Sequence, residues 1–355
     1  MKIAVLPGDD IGPEITEAAL TVLREADKRF DLELAFDVHE VGMASHRRTG
    51  TTLPDSAIKA TFDADAVLLG PGGMTEYPPL ADGGINIPGT IRKKLDLYAN
   101  LRPARARQGL ERARPGLDCI LARENTEGFY ADRNMFFGSG EFMPTPDIAL
   151  AVRKITRQAS RRIAEKAFEL AQTRRKHVTV VGKRHVLQVT DGLFMEEAYA
   201  VARNYADVVI REVDIDAMVA DIYTNPDRFD VILITHMFGD ILSNLAVALS
   251  GGLGLAAALN VGDERAAANA GHGSAPDIAG KGIANPSGII LSAAMLLEWL
   301  GSRRSEQKFT YAAKAIEKSL DGLLTSGQRT GDLGGQLGTQ AFAKLIAENI
   351  REPSV

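Results

Sequence analysis

The stretch FDVILITHMFGDILSNLAVALSG, residues 229–251, reads as a strand, a turn and a helix. The apolar run before the turn has strand character, and the residues after it are compatible with a helix. On that helix Asp240 and Asn244 are four residues apart and point to one face. Two carboxylates at this spacing would suit a hard cation such as magnesium, but one of the pair is an amide. The stretch therefore indicates an α/β unit whose polar face is a metal site, a weakened metal site or an ordinary helix surface.

Strand-like and helical patterns alternate along the rest of the chain. KIAVLPG at 2–8 is a short buried strand, and PEITEAALTVLREA at 13–26 has helical periodicity with a proline in its first turn. The same order recurs where HVTVVGK at 177–183 precedes TDGLFMEEAYAVARNYA at 190–206. After residue 260 we expect a loop-rich segment, followed by helices near 287–301, 309–325 and 338–350. This repeated βαβ order predicts a layered α/β fold.

The composition is that of a globular protein. At 355 residues the chain is long enough for two ordinary domains or one large one, and its hydrophobic fraction of 45% is typical of folded chains. The net charge of −5 gives no reason to expect nucleic-acid binding. The apolar runs are shorter than the ~20 residues of a membrane span, and the N-terminus lacks a signal-peptide core. The single cysteine, Cys119, excludes an intrachain disulfide, so we expect a cytoplasmic protein.

A nucleotide, if one binds, must be held without the standard dinucleotide fingerprint. The chain contains no G-x-G-x-x-G motif, so a standard Rossmann fold lacks its main sequence support. The segment HGSAPDIAGKGIANP, residues 272–286, is rich in small residues whose backbone can approach phosphates closely. This segment is therefore the best candidate for a nucleotide-binding loop.

Arginines lie near the ends of predicted strands in the first half of the chain. Arg92 and Arg102 flank a helix-to-strand transition, and Arg123 comes directly before the ENTEG turn. Guanidinium groups gathered there would suit a substrate with more than one carboxylate. The alternative is a solvated basic face, which is the commoner explanation for isolated arginines.

Three further polar residues could take part in chemistry. Lys183 ends a strand and could act as a base if desolvation lowered its pKa, or could be an ordinary surface lysine. Tyr130 could be a proton donor or a packed aromatic. Asp216 could be an oxygen ligand for a cation or a helix N-cap. Together with the arginines and Asp240, these residues suit the oxidation of a 2-hydroxy acid by a nicotinamide cofactor, with a divalent cation polarising the hydroxyl.

At this point a family can be named from the motifs. The chain resembles the isocitrate/isopropylmalate dehydrogenase family, which contains metal-dependent β-decarboxylating dehydrogenases of 3-substituted malates. The resemblance runs nearly end to end, through GDDIGPE (8–14), LDLYANLRP (95–103), RENTEG (123–128), TDGLF (190–194), FGDILSN (238–244), GGLGLA (251–256) and HGSAPDIAGKGIANP (272–286).

The resemblance implies an isopropylmalate dehydrogenase-like three-layer α/β fold, which is not the standard Rossmann fold. A large discontinuous nucleotide-binding domain would consist of residues 1–98 and 251–355. Residues 99–250 would form a small domain that binds substrate and metal and mediates dimerisation. The active site would lie in the cleft between the two domains.

The resemblance also implies roles for individual residues. Tyr130 would be the general acid, and Lys183 would be the catalytic residue on the general-base side of the reaction. Lys183 and Asp216 would reach into the site of a second subunit in a homodimer. The substrate residues would be Arg92, Arg102, Arg123 and Asn86, and Mg²⁺ or Mn²⁺ would lie among Asp216, Asp240 and Asn244.

A nicotinamide dinucleotide is the cofactor that the resemblance implies. Asp277 would accept hydrogen bonds from the ribose hydroxyls and would repel a 2′-phosphate, which favours NAD over NADP. Asn285 would contact the adenine. The full set of cofactor residues would be Ile11, Gly72, His185, His272, Gly273, Ser274, Ala275, Asp277 and Asn285.

The chain departs from the family pattern at several of these positions. Asp10 replaces the central glycine of GDGIGPE, and Asn244 replaces the second aspartate of FGDILSD. His185 stands where the family has an asparagine, and the family's T-x-N before FGD is Thr235-His236-Met237 here, which brings a second histidine nearby. These changes leave open a second hypothesis, in which the protein is a regulatory or ligand-binding subunit without catalysis.

The substrate is also open. The loop GGINIPGTIR, residues 83–92, has Asn86 and Pro88 where isocitrate enzymes have serine and asparagine. RENTEG resembles the isocitrate, homoisocitrate and tartrate or D-malate branches more than the isopropylmalate branch. The possible substrates therefore include isopropylmalate, homoisocitrate, isocitrate, tartrate and D-malate.

Overall fold

A computed structural model describes residues 1–130 and 140–351 of the chain. Ten strands form one large mixed sheet, and two more form a separate hairpin. The strands are β1 (Lys2–Leu6), β2 (Ala35–Val38), β3 (Ala66–Leu69), β4 (Ala99–Arg105), β5 (Asp118–Glu124), β6 (Glu141–Thr145), β7 (Ile148–Ala151), β8 (His177–Gly182), β9 (Val209–Asp214), β10 (Val231–Ile234), β11 (Ala257–Val261) and β12 (Ala266–Ala270).

Helices cover the faces of the large sheet. They are α1 (Gly12–Phe30), α2 (Gly42–Thr49), α3 (Asp55–Asp63), α4 (Ile87–Lys94), α5 (Arg157–Gln172), α6 (Thr190–Ala202), α7 (Ile215–Thr224), α8 (His236–Leu249), α9 (Ser287–Arg304), α10 (Gln307–Thr325) and α11 (Thr339–Arg351). Within the described ranges, none of these helices is long and apolar enough to cross a membrane.

The order of the large sheet is β2-β1-β3-β12-β11-β4-β5-β10-β8-β9. Strands β5, β10, β8 and β9 run parallel, whereas β11 pairs antiparallel with both β12 and β4. Residues 1–98 and 251–355 supply the five strands on one side of the β11–β4 pair, and residues 99–250 supply the five on the other. The division into two domains stays a prediction, and its boundaries coincide with this junction in the sheet.

The core lies on both faces of the sheet because the central strands are apolar along their whole length. Every residue of β3 and β10 is buried, as expected for parallel strands covered on two faces. Helix α9 is buried on most sides, where it packs against α10, β11 and β12. Helix α1 packs against α11, so the two ends of the chain are joined in one layer.

The predicted α/β fold is confirmed, including the strand-turn-helix unit at 229–251, which forms β10 and α8. The expected loop-rich segment after residue 260 was wrong in part, because residues 266–270 form β12. This run, AAANA, has low intrinsic strand preference, and it becomes a strand through pairing with β3 and β11 in the core. The β6–β7 hairpin was not predicted, and its side chains are exposed throughout.

Candidate functional site

The parallel strands bring the predicted site residues to one edge of the sheet. Arg123 lies at the carboxyl end of β5, His236 follows β10, and Lys183 follows β8. Asp214 ends β9, and Asp216 lies in the first turn of α7. Carboxyl ends of parallel strands are the usual location of ligand sites in open α/β sheets.

Asp240, Arg102 and Arg123 form a cluster of opposite charges in which both arginines are buried. Asp240 Oδ1 lies 2.9 Å from Nη1 of Arg123 and 3.3 Å from Nη1 of Arg102. The arginine side chains are 2% and 8% exposed, whereas Asp240 is 37% exposed. The partly exposed carboxylate therefore lies against two guanidiniums that are largely removed from water.

The electrostatics of this cluster favour an anionic ligand. Burial lowers the pKa of Arg123 well below its usual value, and the like charge of Arg102 and Arg92 acts in the same direction. Burial also lowers the pKa of Arg102, although Asp240 opposes the shift. Arg92, on α4, also lines a cavity of about 290 Å³. Three guanidiniums and Asp240 carry a formal charge of +2, so carboxylates of a ligand would relieve the repulsion.

Hydrogen bonds hold both buried arginines in place before any ligand arrives. Arg102 donates from Nε to Asn100 Oδ1 and from Nη1 to Ser243 Oγ, each at 2.7 Å. Arg123 donates from Nε to the carbonyl oxygen of His236 at 2.8 Å. The guanidinium planes are thus oriented by β4, α8 and the turn after β10.

Tyr130 lies at the rim of the same cluster. Its hydroxyl is 3.4 Å from Asp240 Oδ2, and its ring packs on His236 with ring centroids 4.3 Å apart. His236 is buried, and its Nδ1 lies 3.9 Å from Glu124 Oε2. Burial raises the pKa of Glu124. The phenol ring of Tyr130 therefore packs on the buried His236 ring, and its hydroxyl lies beside Asp240.

Lys183 and Asp216 form a second polar group at the same edge of the sheet. Lys183 Nζ donates a hydrogen bond to Asp216 and lies 3.5 Å from Asp214 Oδ2. The hydrogen bond to Asp216 raises the pKa of Lys183, because the carboxylate stabilises the ammonium ion. His185 also belongs to this group, because its Nδ1 lies 2.9 Å from Asp214 Oδ2. The N-cap of α7 is Asp214, so the alternative of Asp216 as the cap was wrong.

A single chain does not assemble the whole expected metal set. Asp240 and Asn244 lie four residues apart on α8, and Asn244 is exposed. Asp216 is engaged with Lys183. Among residues 1–130 and 140–351, no three His, Cys, Asp or Glu side chains converge closely enough to hold a metal ion. The donor chemistry of Asp240 and Asn244 fits a hard cation.

Two hydrogen bonds anchor the candidate nucleotide-binding loop, residues 272–286, to the start of α1. Ile11 N donates to the carbonyl of Ser274 at 3.1 Å, and Gly282 N donates to Glu14 Oε2 at 3.1 Å. Ala275 has a φ of 45°, which gives the loop a sharp bend. Asp277, just after this bend, is exposed.

Two side chains of this loop are held in defined orientations. His272 Nδ1 lies 2.9 Å from the carbonyl of Gly273, and desolvation lowers the pKa of this histidine. Asn285 donates to Asp332 Oδ2 at 3.0 Å and accepts from Ser287 N at 2.9 Å. The loop thus joins Ile11 to residues 272–285, as a nucleotide site requires, whereas His185 lies with Asp214.

Comparison with known proteins identifies the family. The family described as isocitrate/isopropylmalate dehydrogenase matches residues 2–349. The chain belongs to this family.

The relatives span two named activities at similar distance. The 3-isopropylmalate dehydrogenase of Methanothermobacter thermautotrophicus is 41% identical over 353 residues, which cover 99% of both chains. The isocitrate/homoisocitrate dehydrogenase of Thermus thermophilus is 40% identical over 352 residues, covering 99% of this chain and 98% of the relative. The crystal structure of isocitrate dehydrogenase from Methylococcus capsulatus matches with a TM-score of 0.88 and 37% identity over 99% of both chains.

Within the family pattern, the change at Asp10 has a local explanation. Asp10 has a φ of 52°, in the left-handed region that favours glycine but that aspartate also enters. Its neighbour Asp9 accepts hydrogen bonds from Met43 N at 2.6 Å, Gly73 N at 3.0 Å and the Tyr77 hydroxyl at 2.5 Å. The turn is therefore retained without its glycine. Gly72 lies beside it, where an added Cβ would be 3.2 Å from the Tyr77 hydroxyl oxygen.

Asn86 has a structural task at the start of α4. Its side-chain oxygen accepts a hydrogen bond from Gly89 N at 2.9 Å and caps the helix that carries Arg92. The exposed carboxamide nitrogen is the atom that Asn86 can offer to a ligand.

Sequence reasoning missed the residues that orient Arg102. Asn100 and Ser243 lie inside the LDLYANLRP and FGDILSN motifs, so the motifs contained the signal. Their contact with one arginine joins β4 to α8 across 141 residues of sequence, which spacing alone does not reveal.

Proposed function

We propose that the protein is an NAD-dependent, divalent-metal-dependent dehydrogenase that oxidises a 3-substituted malate-type 2-hydroxy acid, usually with β-decarboxylation. The observation that carries the proposal is the pairing of Asp240 with the buried Arg102 and Arg123, with the Tyr130 hydroxyl beside it. Family membership supports the same reaction class.

The arginines would bind and orient the substrate. Their guanidinium forks are fixed by hydrogen bonds, so little side-chain freedom is lost when a carboxylate arrives. Planar bidentate contacts would hold two carboxylates at a set angle. Arg92, on the last turn of α4, would bind the substrate carboxylate nearest to the segment 83–92.

Proton transfer would fall to Tyr130 and Lys183. The Tyr130 hydroxyl is supported by the His236 ring and lies close enough to Asp240 to donate a proton to the carbon that loses its carboxylate. The neutral amine of Lys183 would accept the substrate hydroxyl proton, once the ammonium proton has passed to solvent water. Mg²⁺ or Mn²⁺ held by Asp240, Asn244 and a second copy's residue 216 would make the substrate hydroxyl more acidic, and NAD would accept the hydride.

The acting unit would be a homodimer with shared sites. Lys183 and Asp216 contact each other rather than Asp240, so a second copy is needed to bring a lysine and a third ligand to the arginine cluster. Within the part of the chain that the structure describes, the β6–β7 hairpin forms a sheet of its own and exposes Phe142, Met143, Ile148 and Leu150. An isolated hairpin of this kind is marginally stable and would gain partner strands and apolar cover from a second copy.

Mixing two inactive variants tests the shared site. Lys183→Met and Tyr130→Phe should each be inactive, but a heterodimer has one complete site, with Tyr130 from one chain and Lys183 from the other. After unfolding and refolding together, about a quarter of the wild-type activity should return, because half of the dimers are mixed and each has one working site. Activity that stays at background would show that Lys183 serves its own chain.

NAD is favoured over NADP by Asp277. This exposed carboxylate lies in the loop that joins Ser274 to Ile11, where a ribose would approach. A 2′-phosphate would meet like charge there. The kcat/KM with NADP should therefore be well below that with NAD, and Asp277→Asn should narrow the difference.

The third substituent of the substrate would be selected by α4 and the loop before it. Asn86 and Pro88 begin this helix, and Arg92 is on the same helix one turn later. A relative named for isopropylmalate and another named for isocitrate and homoisocitrate match this chain at similar identity. The proposal therefore covers isopropylmalate, homoisocitrate, isocitrate, tartrate and D-malate.

A regulatory or ligand-binding subunit is the second candidate function. The observation that favours it is the neutral Asn244 in place of an aspartate, together with the paired, charged state of Lys183. Such a subunit would bind carboxylates at the arginine cluster without turning them over.

One assay separates the two functions. Purified protein is incubated alone with NAD, Mn²⁺ and a panel of 3-substituted malates, and NADH is followed by absorbance. Turnover with one acid establishes the enzyme and its substrate. No turnover with any 2-hydroxy acid, combined with activation of an active relative added to the mixture, would overturn the enzyme in favour of the regulatory subunit.

A further inference from the structure

Arg153 is a buried arginine outside the set of residues described so far. It lies between the β6–β7 hairpin and α5, and its side chain is 8% exposed. Its Nη2 lies 2.6 Å from Oδ1 of Asp191, which is fully buried. Burying two charges is costly unless both are well paired, so this ion pair needs a physical reason to be there.

The ion pair ties together the ends of two strands that carry site residues. Asp191 Oδ2 accepts a hydrogen bond from the backbone N–H of Lys183 at 2.6 Å, just after β8. Arg153 Nη1 donates to Thr190 Oγ1 at 2.6 Å, and Nη2 donates to Thr235 Oγ1 at 3.3 Å, just after β10. The Arg153 guanidinium therefore fixes the backbone at Lys183, after β8, relative to Thr235, which precedes α8.

Two aromatic rings complete the surroundings of the same guanidinium. Its central carbon is 5.9 Å from the ring centroid of Phe129 and 5.5 Å from that of Phe238. These are cation–π distances, and such contacts are strengthened by removal from water. Phe129 directly precedes Tyr130, and Phe238 lies two residues before Asp240.

We propose that Arg153 is a positioning residue that sets the relative placement of Tyr130, Asp240 and Lys183. This role rests on the proposed dehydrogenase function, in which those three residues act on the substrate. Arg153 contacts a residue in the segment of each of them: Phe129 beside Tyr130, Phe238 near Asp240, and Asp191, which is hydrogen-bonded to the backbone of Lys183. In a homodimer with shared sites, Arg153 would affect both active sites. The Lys183 of its chain would act in one site, and the Tyr130 and Asp240 of its chain would act in the other.

The chemistry of the contacts requires arginine. A lysine ammonium could keep the charge opposite Asp191, but it lacks the planar fork that reaches Asp191, Thr190 and Thr235 at once. It also lacks the flat, weakly hydrated surface that packs against Phe129 and Phe238. Arg153→Lys therefore preserves charge and removes orientation, which separates positioning from simple neutralisation of Asp191.

The test compares Arg153→Lys with a matched control, Arg157→Lys. Arg157 is four residues later, is 61% exposed and pairs with the exposed Glu196 and with the buried Glu197, which keeps a second partner in Arg161. For Arg153→Lys we expect kcat to fall about 10- to 100-fold, as for other residues that orient catalytic groups, with KM for NAD unchanged. Arg153→Met, which also removes the charge, should lose more, and Arg157→Lys should behave as wild type.

Hydrogen exchange gives a readout that does not depend on turnover. In Arg153→Lys the amide hydrogens of residues 183–191 and 235–240 should exchange at least tenfold faster, while those of β1 should not change. Arg157→Lys should leave both segments unchanged. If Arg153→Lys does not fold, Asp191→Asn, which preserves the side-chain volume, should give the same pattern.

The outcomes separate this inference from the proposed function. Wild-type protein that turns over no acid contradicts the dehydrogenase function, and the exchange rates still decide whether Arg153 holds the three segments. Unchanged exchange at 183–191 and 235–240, or a wild-type kcat in an active enzyme, overturns the positioning role. A loss confined to melting temperature, with kcat per folded enzyme unchanged, also overturns it, because that result shows a stabilising role only.

Discussion

Replacing Asp240 with asparagine should destabilise the ligand-free protein even though the side chain keeps its size. Arg123 and Arg102 are almost fully buried, and Asp240 Oδ1 lies 2.9 and 3.3 Å from their guanidinium nitrogens. Removing one partner of a buried ion pair costs about 3–5 kcal/mol, because the other charge is left unpaired. Asp240 is 37% exposed, so water replaces part of the interaction. We expect the free energy of unfolding to fall by about 2 kcal/mol.

Urea unfolding measures this loss. For an m value of about 3 kcal/mol per M, a loss of about 2 kcal/mol lowers the urea midpoint by roughly 0.7 M. Asp277→Asn is the matched control, because Asp277 is an exposed carboxylate on a loop. Without nucleotide, that change should stay within about 0.5 kcal/mol of wild type.

A dicarboxylate supplies the second half of the test. In metal-free buffer, Asp240 competes with ligand carboxylates for the two buried arginines of the wild-type protein. Once Asp240 is neutral, malate meets Arg102 and Arg123 without that competitor, so malate should raise the urea midpoint of the variant more than that of wild type. A loss no larger than that of Asp277→Asn, or equal stabilisation of both proteins by malate, would refute the role of Asp240 as their counter-ion.

Three further predictions concern the other parts of the site. Lys183→Met should nearly abolish turnover and leave NAD affinity by calorimetry intact, and wild-type-like turnover would remove Lys183 from the mechanism. Asn244→Asp places a carboxylate about 5 Å from a cation at Asp240, worth about 1.7 kcal/mol in water, or roughly 15-fold tighter Mn²⁺ binding without substrate; unchanged or weaker affinity would place residue 244 away from the metal. Desolvation lowers the pKa of His272 from its usual 6.5, so the imidazole is neutral at pH 7 and gains its proton only in more acidic solution. Protonation would place a positive charge in this desolvated loop, so KM for NAD should be flat between pH 7 and 8 and rise only in more acidic solution, and a rise already at pH 7 would contradict this.

The strand-end positions of the site were predictable from the sequence. Arg123 lies at the end of β5, Lys183 follows β8 and Asp216 follows β9, and the carboxyl ends of parallel strands share an edge. The helical spacing of Asp240 and Asn244 on α8 was also predictable, since it depends only on local periodicity.

The pairing of charges across the chain was not predictable in the same way. Residues 102, 123 and 240 are far apart in sequence, and only the order β4-β5-β10 brings them together. The contact of Lys183 with Asp216 raises the pKa of the lysine, whereas action as a base requires a lowered pKa, and this contact could not be read from the sequence. Strand β12 was missed because alanine carries little strand preference, so its pairing partners decide its conformation.

The charge balance of the cluster shows how the site accommodates Asn244. Three arginines and Asp240 leave a formal excess of two positive charges, which a substrate with two carboxylates neutralises. A divalent cation then needs further negative charge, and the amide of Asn244 supplies none where the family pattern has a second aspartate. A third carboxylate on the substrate, or its ionised hydroxyl, offsets that difference. In the proposed metal-dependent enzyme, Asn244 would leave the substrate to supply part of the negative charge that holds the cation, so cation and substrate should bind together rather than in sequence.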